Sequence, residues 1–161
     1  MSESSASQIP IAIPAVVRAA MERHARATFP AECCGYLVGP AGGDAVDAVI
    51  ECRNAQEDGD HPTAPERGAE TGFVIAGAEL FAFARSFDSA RPARIVYHSH
   101  TNGRAYFSAV DREVARVAGY PVQHVVVGVT ATGVTEGAQF AWSEAAGDFV
   151  EISRWSATML G

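Results

Sequence analysis

Residues 94–100 read Arg94-Ile95-Val96-Tyr97-His98-Ser99-His100, and seven residues later comes Ser108-Ala109-Val110-Asp111. The run Ile95-Val96-Tyr97 is β-branched and aromatic, which predicts a buried strand ending in the two histidines. Side chains alternate along a strand, so His98 and His100 project from one face. Ser108 with Asp111 three residues on has the spacing of a capping box. Val110, Val114, Val117 and Ala118 behind it follow a helical period. A strand, a loop and a helix start can thus gather two imidazoles and a carboxylate. Each half alone has a plainer explanation, since His-x-His is commonly a polar strand end and Ser-x-x-Asp commonly only a cap. Together they offer two nitrogens and one oxygen with a fourth position open, the ligand set of a catalytic zinc site.

At 161 residues the chain suits one domain with a sizeable core. Residues 1–8, polar and rich in small side chains, read as a flexible tail, and 9–161 as the domain. The tail has neither the basic start nor the apolar stretch of a signal peptide. No run approaches the ~18 apolar residues of a membrane helix. A formal net charge of −7 argues against nucleic acid or an anionic membrane surface as partner. Cys33, Cys34 and Cys52 are odd in number with two adjacent. That is a poor disulfide framework, and it points to a reducing, cytoplasmic compartment in which they serve as small buried hydrophobes.

Pro14 suits a first helical turn, and Val17, Ala20, Met21, His24 and Thr28 form an amphipathic stripe ended by Phe29-Pro30. His24 on that inner face reads as a hydrogen-bonded core residue. Ala31 to Gly39 reads as a strand with Glu32 at its start, Pro40 to Asp44 as a turn, and Ala45 to Cys52 as the partner strand. Asn54 to Glu70 is a long polar loop of the kind that tends to be functional or disordered. Phe73-Val74-Ile75 reads as a short strand. Leu80, Phe83, Ala84 and Phe87 mark a helix over Ala78 to Phe87 that packs inward. After the stop at Gly119-Tyr120-Pro121, Gln123 to Val129 reads as a central strand. Gln139 to Ser143 and Phe149 to Ile152 read as two more. The order predicts an α/β domain, a mixed sheet flanked by helices.

Zinc on His98, His100 and Asp111 would acidify water at its fourth position to a pKa of roughly 7. Hydrolysis then needs a carboxylate that takes a proton from the water and passes it to the leaving amine, and Glu32 is the candidate. The Ser108 hydroxyl beside the metal can donate to the developing oxyanion. A hydroxyl caps with a lone pair, so the two roles do not compete.

Glu32, His98-Ser99-His100, seven residues and Ser108-Ala109-Val110-Asp111 resemble the complete motif of the JAMM (MPN-plus) zinc metalloprotease family. The resemblance covers most of the chain, and Phe29 to Gly35 resembles the start of the glutamate strand in small bacterial members. It implies a cytidine-deaminase-like α/β fold and one zinc per chain. It also implies hydrolysis of peptide or isopeptide bonds after the C-terminal glycine of ubiquitin-like proteins. The implied roles are those above: His98, His100 and Asp111 as metal ligands, Glu32 as acid and base, and Ser108 at the oxyanion. True deaminases are excluded, since no Pro-Cys-x-x-Cys segment occurs.

Thr101 stands where the family commonly has proline. The stretch from His98 through Ala105-Tyr106 to Ser108 is similar to bacterial peptidases acting on sulfur-carrier proteins, although Phe107 departs from a proline often found there. The eukaryotic deubiquitinases of the family carry a long insertion after the zinc helix. Asp111 to Val122 leaves no room for one, so polyubiquitin is not the expected substrate. The favoured reading is a metallopeptidase acting after the C-terminal Gly-Gly of a ubiquitin-like sulfur carrier and releasing an amino acid or short adduct. An isopeptidase of a bacterial ubiquitin-like conjugation system and a non-catalytic MPN scaffold are the alternatives. The oligomeric state stays open, a homodimer among the options.

Overall fold

The computed structural model describes residues 8–55 and 74–157. Its elements run α1 (Ala15–Thr28), β1 (Cys34–Val38), β2 (Ala48–Cys52), α2 (Gly77–Ser86), β3 (Ala93–His100), α3 (Ala109–Ala118), β4 (Gln123–Thr130), β5 (Gly133–Ser143) and β6 (Asp148–Ser156). The strands form one sheet in the order β2-β1-β3-β4-β5-β6. It is the mixed sheet that the element order predicts: β3 and β4 pair parallel and the other neighbours antiparallel. A parallel pair needs a crossover, and α3 supplies it. The Ser108-Asp111 helix start therefore lies just past the C-terminal end of β3, where open α/β sheets place their ligand sites.

Strand parity decides which side the site occupies. Ile95 and Tyr97 turn to one face, where they pack with Leu37, Val125 and Val127 against Val17, Met21 and Ala25 of α1. The alternate residue Val96 packs with Cys34, Tyr36 and Phe83 of α2 on the other face. His98 and His100 share the parity of Val96 and so belong to that second face. A third cluster, built on Phe107, Val126, Phe140 and Phe149, continues the same side toward β5 and β6.

Several expectations need correction. The α1 residues that bury are Val17, Met21, Glu22 and Ala25, while Ala20 and Thr28 of the predicted stripe are half-buried. The helix is rolled so that Ala25, not Thr28, meets the sheet. His24 is a hydrogen-bonded residue as read, its Nδ1 lying 2.6 Å from the Tyr97 hydroxyl. β2 starts at Ala48, because Ala45 bridges Ala12 instead. β5 and β6 extend well beyond their apolar cores, through Thr135, Glu136 and Arg154, since ladder pairing continues where the apolar pattern lapses. Val74 and Ile75 lie in no strand. The Val74 carbonyl accepts the Ala55 N–H at 2.7 Å, and its own N–H donates to Asn54 Oδ1 at 3.0 Å. α2 buries only Phe83 and leaves Leu80 exposed, so its stripe does not pack inward throughout. Phe73, residues 1–7 of the tail and 56–70 of the polar loop lie outside the described residues.

Candidate metal centre

β3 delivers His98 and His100 to its end almost fully enclosed, with 1% and 6% of their surfaces exposed. α3 opens with the predicted capping box: Ser108 Oγ accepts the Asp111 N–H, and Asp111 Oδ2 accepts the Ser108 N–H, both at 3.0 Å. That Oδ2 also lies 3.1 Å from His98 Nε2 and 3.0 Å from His100 Nε2, and the two ring nitrogens are 3.2 Å apart. His98, His100 and Asp111 are the group among the described residues whose donor atoms converge in this way.

This triangle fits a metal better than it fits hydrogen bonds alone. If both imidazoles donated to Oδ2, two N–H groups 3.2 Å apart would face each other in a buried site. One cation takes all three lone pairs at once. Tetrahedral zinc with bonds of ~2.0–2.1 Å spaces its ligands about 3.3–3.4 Å apart, close to the observed edges. The electrostatics agree. Burial opposes a charge on Asp111, yet the neighbouring His98 and His100 outweigh it and hold the carboxyl well below the usual range. Burial pushes the His100 pKa down, although Asp111 pulls it the other way.

Glu32 is buried and does not belong to the converging group. The β1–β3 register pairs Cys34 with His98, and just before it the Ser99 N–H donates to the Cys33 carbonyl at 3.1 Å. Glu32 lies two residues before the start of β1. Its carbonyl accepts Asn54 Nδ2 at 2.9 Å, which ties the start of β1 to the chain after β2.

The loop between His100 and Ser108 is held from below. Gly128 pairs with His100, and a Cβ there would stand 2.6 Å from the Gly103 backbone, so the loop crosses β4 where only glycine leaves room. Ala105 N–H donates to Glu136 Oε2 at 2.8 Å, and its carbonyl accepts Arg154 at 2.7 Å. Phe107 stacks on Phe140 with ring centroids 5.3 Å apart, and its own ring sits 6.5 Å from that of His98. Arg112 fixes the first turn of α3 by donating to the Phe107 and Phe149 carbonyls, each at 2.9 Å.

Sequence reading gave no role to Ser99, Arg112, His124 or Glu136. His124 lies on the site side with its ring 5.0 Å from Phe107, and burial pushes its pKa down to about 3. Its parity with Val126, which pairs with His98, is the signal that could have found it. Cys33, Cys34 and Cys52 are free and buried, and burial pushes the Cys33 and Cys52 thiols up to about 12, which makes them poor nucleophiles. No described helix is long and apolar enough to cross a membrane.

The chain is 33% identical over 96 residues to CysO-cysteine peptidases of Mycobacterium bovis and Mycobacterium tuberculosis, over 60% of this chain and 59% of theirs. It thus spans about three fifths of the length of these curated relatives. Two solution structures share the fold. A Salinibacter ruber protein has a TM-score of 0.58 at 23% identity over 86% of each chain. A Desulfitobacterium hafniense protein has 0.61 at 22% identity, over 86% of this chain and 87% of that one. The profile of the prokaryotic homologs of the JAB domain matches residues 14–143, a span that takes in both ends of the candidate site. The chain belongs to that family.

Proposed function

We propose that this protein is a zinc-dependent metallopeptidase that hydrolyses the bond after the C-terminal Gly-Gly of a small ubiquitin-like sulfur-carrier protein, releasing an amino acid or short adduct. The observation that carries the reading is the convergence of His98 Nε2, His100 Nε2 and Asp111 Oδ2 within 4.8 Å of one another. The mycobacterial relatives, described as CysO-cysteine peptidases, support the substrate class. The free, buried cysteines suit a cytoplasmic location.

His98, His100 and Asp111 would hold the metal. Zinc, when bound, supplies Lewis acidity, which polarises a carbonyl oxygen and makes water acidic near neutral pH. Glu32, buried and outside the ligand set, takes a proton from the attacking water and delivers it to the nitrogen of the leaving amine. Ser108 keeps its hydroxyl hydrogen available, because Oγ uses a lone pair to accept the Asp111 N–H. It donates that hydrogen to the scissile carbonyl oxygen as charge builds there. A Gly-Gly tail lets an extended main chain approach a site set at the end of a strand, without side chains in the way.

The test is intact mass spectrometry of carrier–adduct fusions ending in Gly-Gly plus one amino acid, before and after incubation. Loss of that residue, abolished by a chelator and restored by zinc, is the expected result. Metal binding without turnover on any carrier would favour the non-catalytic scaffold. Efficient cleavage of polyubiquitin, with no action on carriers, would move the protein to a different branch of substrates.

A further inference from the structure

α3 places Val110, Val114 and Ala118 on one stripe, yet none of its ten residues is buried. An amphipathic helix of this kind ordinarily lays its stripe on the sheet. Here Arg112 and the capping box pin its N-terminal turn, and the stripe faces a cavity of about 480 Å³ shared with α2 and β3. Leu80, Phe83, Val96, Phe107, Val110 and Val114 line this cavity, which runs up to His98 and Asp111. Its volume is that of a small-molecule pocket. Among the described lining residues there is no lysine or arginine, and Asp111 is the one carboxylate. Away from His98, Asp111, Tyr120 and His124 the described lining is apolar, so a charged side chain reaching it would give up water, whereas an apolar one would only gain.

The cavity reaches His98 and Asp111, so its occupant is a group attached close to the scissile bond. On the carrier side the two residues before the bond are glycines in the function proposed above, on which this step rests, and they have no side chains to offer. The third residue from the end lies roughly 7 Å further back along an extended chain. The residue after the bond carries the nearest side chain. We infer that this cavity is the specificity pocket for the leaving residue, and that it selects a large apolar side chain such as phenylalanine or leucine. Cysteine or alanine leaves most of it empty.

The experiment pools carriers ending in Gly-Gly-Phe, Gly-Gly-Leu, Gly-Gly-Cys, Gly-Gly-Ala and Gly-Gly-Asp with the zinc-loaded enzyme and reads relative kcat/KM by intact mass. Phe and Leu should exceed Cys and Ala by at least about 10-fold, the scale set by a few methylenes in an apolar pocket. Val114→Trp, or the more exposed Ala118→Trp if the first is unstable, should bring the Phe and Leu rates down to those of the Cys and Ala carriers measured in the same pool. In parallel, acetyl-Gly-Gly-Phe added to the Glu32→Gln enzyme should shift the methyl resonances of Val110 and Val114, and acetyl-Gly-Gly-Ala should not. Equal rates for all five carriers, or valine methyls unmoved by the Phe peptide, would overturn the assignment. If no carrier is cleaved, the hydrolase reading fails, and the methyl shifts still decide what the cavity accepts.

Discussion

Ser108 and Asp111 cap one helix reciprocally, and the Asp111 oxygen that accepts the Ser108 N–H is the same atom that faces both imidazoles. The fold thus uses a helix terminus to aim a ligand. Two roles for Ser108 follow, and Ser108→Ala separates them. Losing the cap costs ~0.5–2 kcal/mol of stability. Losing an oxyanion donor costs about 2.7–4 kcal/mol in the barrier, a fall in kcat of ~10²–10³. Both effects are expected, read by thermal melting and by turnover per folded molecule. Lowered stability with an unchanged rate would leave Ser108 as a cap alone.

His98→Ala and Asp111→Ala should each lose most of the zinc, because three protein ligands leave no spare donor in the converging group. Elemental analysis of purified variants against the parent protein measures this. Full occupancy in both variants would show that the metal sits elsewhere.

Glu32→Gln keeps side-chain shape but cannot carry a proton. Zinc content should stay at the parent level while turnover drops by at least ~10²-fold. A variant stripped of zinc would make Glu32 a ligand, and a near-normal rate would remove it from the chemistry.

The strand, loop and helix start from Arg94 to Asp111 were legible because three local codes agree there: β-branched residues, period-two histidines and a capping box. β4 was legible for the same reason, as an apolar run between turn signals. What the sequence hid was set by tertiary context. The roll of α1 that buries Ala25 depends on the sheet beneath it. The failure of α3 to bury its stripe is invisible to periodicity, which reports an apolar face and not what covers it. Glu136, Arg154 and Arg112 act on the His100–Ser108 loop from residues distant in sequence or across an element boundary. No local pattern marks such partners.

Arg112 joins the first turn of α3 to the Phe107 and Phe149 carbonyls and lies 3.1 Å from the Asp148 carboxylate. Arg112→Ala should cost about 1.5–3 kcal/mol, the range for hydrogen bonds from a charged group. Each kcal/mol lowers the melting temperature by about 2–4 °C at this chain length. Lysine should restore little of this, because one ammonium cannot reach two fixed carbonyls as a planar fork does. Calorimetry on both variants decides it. Full rescue by lysine would show that charge, not geometry, holds the helix.

Ser99 sits between the two histidines with no exposed surface, and its parity turns it away from the metal face. Its Oγ accepts the Cys33 N–H at 2.8 Å, and its own N–H donates to the Cys33 carbonyl. A side-chain oxygen thus takes one of the two bonds by which β3 holds the chain next to Glu32. Ser99→Ala leaves the Cys33 N–H buried without that partner, at a cost of about 1–3 kcal/mol. The histidines keep their strand, so zinc should remain bound. The segment carrying Glu32 loses one of its two bonds to β3 and keeps the Asn54 bond to the Glu32 carbonyl, and a misplacement near 1 Å can cost ~10²-fold in rate. Ser99→Ala should therefore lower kcat and stability together at constant zinc content, and Ser99→Thr, which restores the hydroxyl, should recover both. If Ser99→Ala loses stability but keeps the parent kcat, the bond is structural only, and Glu32 is positioned by Asn54 and the rest of β1 without it.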